Sequence, residues 1–149
     1  SLRATGLVPL LERKVLAERT PLLGICVGAQ MLGRDSEEGR EAGLGWLEMR
    51  VRRFPEVPGF RIPHMGWNQV VPRQAQHPLT RGMDTDSRFY FVHSYYMAPS
   101  DPADVLLIAE YGMPFAAGVA RAKIVGVQFH PEKSHRFGKK MLHAFAEGA

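Results

Sequence analysis

The chain has a single cysteine, Cys26, among its 149 residues. An internal disulfide framework is thereby excluded, and a lone thiol suits a reducing compartment, so a cytoplasmic protein is expected. No apolar run approaches the length of a membrane span and no signal-like segment opens the chain, so no membrane partner is expected. The six histidines are scattered without ligand spacing, and neither a metal nor a cofactor is called for. Charge of one sign is scarce as well. The net charge is +4, and the basic residues are not massed with aromatics, which argues against a nucleic-acid surface. Repeats and low-complexity linkers are missing too. What remains is ordinary for a soluble globular chain, 45% apolar and 23% charged, and it reads as one domain over residues 1–149.

The cysteine lies in Gly24-Ile25-Cys26-Val27-Gly28. The preceding run Pro21-Leu22-Leu23-Gly24-Ile25 is short, apolar and bounded by breakers, as a buried parallel strand is. Ala29-Gln30-Met31-Leu32 opens a helix after it. A side chain at such a strand-to-helix turn leaves the sheet through strained backbone, and the flanking glycines remove Cβ clashes there. The following helix points its N-terminus at the sulfur, which favours thiolate over thiol. A buried inert thiol is the competing reading of the motif alone.

Far along the chain comes Gln128-Phe129-His130-Pro131-Glu132-Lys133, entered from a predicted strand at Ile124-Val125-Gly126-Val127. Pro131 holds His130 extended. Residues two apart in an extended chain project to one side, so His130 and Glu132 can face one pocket. A nucleophile–base–orienter set needs this arrangement: the imidazole takes the thiol proton and a carboxylate on its other nitrogen fixes the tautomer. The competing reading is a surface loop with a solvated glutamate.

Elsewhere, Leu7, Leu10, Leu11 and Val15 form a helical stripe over residues 7–19. Residues 43–54 read as a strand with a bulge or bend near Trp46. Residues 60–71 are extended, 88–97 and 105–111 are strands, and 116–129 form a hairpin around Arg121-Ala122-Lys123. Ser134 is placed to cap a last helix whose Phe137, Met141, Leu142 and Phe145 face the sheet. Early helix–strand alternation followed by many strands predicts an α/β sheet with an antiparallel extension.

The cysteine elbow and the later His-Pro-Glu together resemble the class I (triad-type) glutamine amidotransferases. Three further segments narrow the resemblance: Pro63-His64-Met65-Gly66-Trp67-Asn68, Phe89-Tyr90-Phe91-Val92-His93-Ser94-Tyr95-Tyr96, and Phe129-His130-Pro131-Glu132-Lys133-Ser134. They are similar to the glutaminase subunits of imidazole glycerol phosphate synthase, the HisH type. The resemblance implies a flavodoxin-like mixed sheet flanked by helices. It also implies hydrolysis of L-glutamine through a thioester, with Cys26 as nucleophile, His130 as base and Glu132 as its orienter. Val27 would give a backbone oxyanion donor. Gln30, Glu38 and the backbone of Ser94 and Tyr95 would hold the substrate. Ammonia loses its nucleophilicity once protonated in water, so a docked synthase must take it through a dry passage. The implied partner is a (β/α)-barrel cyclase in a heterodimer of histidine biosynthesis, met by His64, Met65, Trp67, Asn68, Tyr90 and Lys133.

Gly43-Leu44-Gly45-Trp46 and Lys133-Ser134-His135-Arg136-Phe137-Gly138 are also similar to a sister group that feeds an N-acetyl sugar amidotransferase in surface-polysaccharide synthesis. A non-catalytic binding subunit is a third reading. It draws on one departure: the family opens with a β-α-β unit of about 30 residues or more, whose Gly-rich loop gives half the oxyanion hole, and no such segment precedes Ser1. A fragment, a late gene start or a contribution from another chain would each account for this. The expectation is an N-terminally truncated fold and a chain that, alone, turns over slowly.

Overall fold

The apolar run before the cysteine forms β1, Leu22–Ile25. It lies parallel to β10, Ile124–Val127, in the register Leu22↔Ile124 to Ile25↔Val127. A computed structural model describes residues 2–148. Its main sheet is mixed. From β10 it passes to antiparallel β9, Pro114–Arg121, then β7, Tyr95–Pro99, and β3, Met49–Arg53, and ends in the short β2, Asp35–Ser36. The strand β8, Val105–Glu110, also pairs with β9, and the short β5, Val71–Pro72, pairs with β8. The strand β9 is buried from Phe115 through Ala120, and its small side chains let neighbours close on both faces.

Each face of the sheet carries helix. On one face Val15, Ala29, Leu32, Met49, Met97 and Val119 share a core. It is covered by α1, Val8–Glu12, which continues through a wider turn to Ala17, and by the short α2, Val27–Gln30. On the other face Phe91, Leu106, Val127, Phe129 and Met141 pack together under α3, His135–Gly148. The expected mixed α/β sheet with its antiparallel extension is what forms.

The departures from expectation have local causes. Of the predicted stripe Val15 does face the core, but Leu7 and Leu10 are exposed, and the first helix buries Val8 in their place. Residues 43–48 do not extend the strand over 49–53. Their amides bond to the end of the Cys26 segment, Leu44 N to Met31 O at 2.8 Å and Leu47 N to Leu32 O at 3.0 Å, which holds them as a loop. The run 88–97 splits at Ser94 into β6, Arg88–His93, and β7. The strand β6 leaves the main sheet to pair with β4, His64–Gln69, in a separate ribbon. Ser134 does not cap α3 through its side chain. Its hydroxyl donates to His130 O at 2.6 Å and accepts from Tyr90 N at 3.0 Å. Among the α3 residues expected to face the sheet, Met141 is buried and Phe137 and Phe145 pack on the core, while Leu142 is half-buried.

Candidate active site

Cys26 follows β1 with φ 51° and ψ −114°, a conformation that L side chains rarely adopt. Its amide donates to Val127 O at 2.8 Å, and its carbonyl accepts from Ala29 N and Gln30 N, so strand and helix pin it from both sides. Gly24 is the glycine this turn requires. A Cβ there would lie 2.8 Å from Gly28 O and 2.9 Å from Ala29 N. Gly28, expected to matter equally, has open space where a Cβ would go.

The sulfur does not rest as the helix-terminus argument predicts. Burial raises the thiol pKa, the Val27 N–H beside it pulls the other way, and the charges of Glu132 and Glu38 raise it again. Loss of hydration outweighs the amides because α2 spans only Val27–Gln30 and has little macrodipole to offer.

The expected base, His130, is built at the end of the neighbouring strand. Gln128 and Phe129 are wholly buried, so the chain leaves β10 on a fixed course. His130 N donates to Tyr90 O at 2.9 Å, and the Ser134 hydroxyl ties the far side of the turn to the same strand. His130 Nδ1 donates to Glu132 Oε1 at 2.6 Å. That bond leaves Nε2 as the basic nitrogen. The two-residue spacing thus does bring His130 and Glu132 together. Cys26 and His130 leave the same ends of adjacent parallel strands. Among the described residues, however, the hydrogen bond to the Cys26 sulfur comes from Gln128 Nε2, at 3.9 Å.

Beside the elbow opens a cavity of ≈ 270 Å³ lined in part by Val27, Gln30, Met31 and Glu38. Glu38 is exposed, and its segment is held in place: its amide donates to Ser36 Oγ at 3.1 Å, and Glu37 accepts from Arg53 N at 2.7 Å. Arg50–Asp35 and Arg52–Glu37 ion pairs link the strands on either side. Gln30 is buried, and its Nε2 donates to Gln128 Oε1 at 3.1 Å and to Tyr95 O at 3.3 Å.

The family model described as glutamine amidotransferase class-I matches residues 3–148. The chain belongs to the class-I glutamine amidotransferases. Within that family it is similar to a protein named imidazole glycerol phosphate synthase subunit HisH 2 from Pseudomonas aeruginosa, 53% identical over 147 residues, which covers 99% of this chain and 72% of that protein. A protein of the same name from Methanococcus maripaludis is 45% identical over 149 residues, covering 100% of this chain and 73% of its own length. Among solved structures, a glutamine amidotransferase from Thermotoga maritima superposes with a TM-score of 0.61 at 25% identity, covering 95% of this chain and 53% of that one.

As an amidotransferase, the chain turns its expected partner-facing residues in two directions. On β4, Met65 and Trp67 are exposed at 61% and 44%, whereas His64 is buried at 3% and so does not reach that face. Asn68 and Tyr90 are half-buried and Lys133 is exposed. Trp67 stacks on His135 with ring centroids 5.5 Å apart and meets the Tyr90 edge at 6.2 Å, which joins the exposed strand to the turn that carries the base. Sequence reasoning missed Gln128 as a neighbour of the sulfur. Its signal was a polar side chain following the four buried strand residues 124–127, a place where an amide is rarely tolerated without a partner.

Proposed function

We propose that this chain hydrolyses the side-chain amide of L-glutamine to glutamate and ammonia, and passes the ammonia to the cyclase subunit of imidazole glycerol phosphate synthase. The observation that carries this reading is the 2.6 Å His130–Glu132 pair at the end of β10, beside the strained Cys26 turn that ends parallel β1. The relatives' names support the cyclase as partner over the sugar amidotransferase, and the intact base pair argues against a purely binding role.

His130 Nε2 takes the thiol proton as the sulfur attacks the glutamine amide carbon. The resulting oxyanion is met by the Val27 N–H. Collapse breaks the C–N bond, His130 returns its proton to the leaving nitrogen, and ammonia departs from a thioester. Water, deprotonated by His130, then attacks the thioester carbon; the C–S bond breaks, glutamate leaves and the thiol is restored. Glu132 keeps Nδ1 protonated throughout and stabilises the imidazolium. Gln30, Glu38 and the Ser94–Tyr95 backbone hold the substrate. Met65 and Trp67 face the cyclase, with Tyr90 and Lys133 beside them.

The test is covalent capture by a glutamine-mimicking electrophile, read by intact mass, with Cys26→Ala as control. One adduct, lost in the variant and blocked by glutamine, is the expected result. Labelling that glutamine does not slow would remove glutamine as the substrate.

A further inference from the structure

A continuous line of buried and half-buried polar groups runs from the exposed ribbon to the sulfur, and its hydrogen bonds admit one direction only. Tyr95 O can only accept. His93 Nδ1, 2.7 Å away, must therefore carry the proton. In the neutral ring His93 Nε2 is then an acceptor, and it lies 2.8 Å from His64 Nδ1, which must donate. His64 Nε2 in turn accepts from Asn68 Nδ2 at 3.3 Å. Asn68 is locked from its other sides, donating to Glu110 O at 2.8 Å while its Oδ1 accepts from Gln69 N. His64 and His93 are paired directly across β4 and β6 and are 3% and 6% exposed. A proton added to either ring would set two donors against each other, and burial above all keeps both neutral, helped at His64 by the neighbouring His93 and at His93 by His130, each pKa lowered to about 4.

The line does not end at Tyr95. The same carbonyl accepts from Gln30 Nε2, which also donates to Gln128 Oε1, and Gln128 Nε2 faces Cys26 Sγ. Both hydrogens of the Gln30 amide are thus used inside the protein. Gln30 Oε1 takes no hydrogen bond among the described residues, so an acceptor is what Gln30 can offer the cavity it lines. Resting on the glutaminase reading for its kinetic consequence, we infer that His93, backed by His64, is a positioning residue that fixes the Tyr95 carbonyl and thereby turns the acceptor end of Gln30 toward the substrate's N–H groups.

The first arm of the test needs no turnover. In the unsubstituted chain, labelled with 15N-histidine, two-bond 15N–1H correlation should find His64 and His93 both as Nδ1–H tautomers and neutral from about pH 8 to about pH 5, against the Nε2–H form usual for a free imidazole. An Nε2–H proton on either ring overturns the relay. The second arm compares two amides in glutamine turnover of the complex. His93→Asn keeps a donor near the Nδ1 position, and KM for glutamine should stay within about twofold. His93→Gln moves its donor toward the Nε2 position, and KM should rise about five- to tenfold with kcat within about threefold, the loss of one buried hydrogen bond. Equal KM values in the two variants overturn the positioning role. A wild-type complex that hydrolyses no glutamine would instead sink the glutaminase reading, with the tautomers still deciding the relay.

Discussion

At Cys26 two opposed effects act on one atom. The Val27 amide and the Lys133 charge favour the thiolate, while burial and the nearby carboxylates of Glu132 and Glu38 disfavour it more strongly. A raised pKa means that the proton is held to higher pH, so the free chain rests as the thiol at neutrality. In the mechanism we propose, the sulfur then depends on His130 to remove its proton as substrate arrives, rather than on a standing pool of thiolate. Alkylation by a small neutral haloacetamide should accordingly rise along an alkaline limb with its midpoint above that of a free thiol, about 8.5. A midpoint below that value would return the sulfur to the activated class.

The elements decide how the nucleophile is presented. The two glycines of G-x-C-x-G look equivalent in the sequence, but they serve different elements. Gly24 lies in β1 where α2 folds back over it, and a methyl group would press on backbone atoms at 2.8–2.9 Å that cannot swing aside. Gly28 lies in α2 with nothing within 4 Å of the place its Cβ would take. Gly24→Ala should therefore cost about 1–3 kcal/mol in urea unfolding. Gly28→Ala should be neutral or stabilising by up to about 1 kcal/mol, as alanine is favoured within a helix. Equal losses from both would show that the turn itself, not the close approach, needs glycine. The same division appears at the base. The β6 backbone and the Ser134 hydroxyl hold His130, so the second strand of the ribbon shapes the turn of His130 as well as the exposed face proposed to meet the partner.

Across the whole molecule, the His64–His93 pair lies buried across the ribbon of β4 and β6, with His93 bonded to Tyr95 O of the main sheet, and this ties global stability to proton concentration. Both rings titrate near pH 4 in the folded chain and near the ordinary 6.5 when unfolded. The unfolded state therefore binds more protons between those values. Stability is fully present above about pH 6.5 and falls as the pH drops toward 4, by on the order of 3 kcal/mol for each buried imidazole. The urea midpoint should move down between about pH 7.5 and pH 4.5. A flat midpoint across that window would mean that the rings titrate in the fold as they do when unfolded, open to solvent.

The local order of the chain was legible in its residues. Breakers around a short apolar run located β1, a cysteine between glycines marked the turn, and proline after His130 held the two-residue spacing that aims His130 at Glu132. These features act over a few residues, where backbone sterics leave little choice. Tertiary structure decided the rest. It placed β10 beside β1, so that two motifs about a hundred residues apart leave one edge of the sheet together. It turned His64 inward and left Trp67 outward on the same strand, divided the run 88–97 between two sheets at Ser94, and raised the thiol pKa that a helix N-terminus was expected to lower. Each of these outcomes depends on which groups lose water and which hydrogen-bond partners they meet inside, and that is settled only when segments distant in sequence pack.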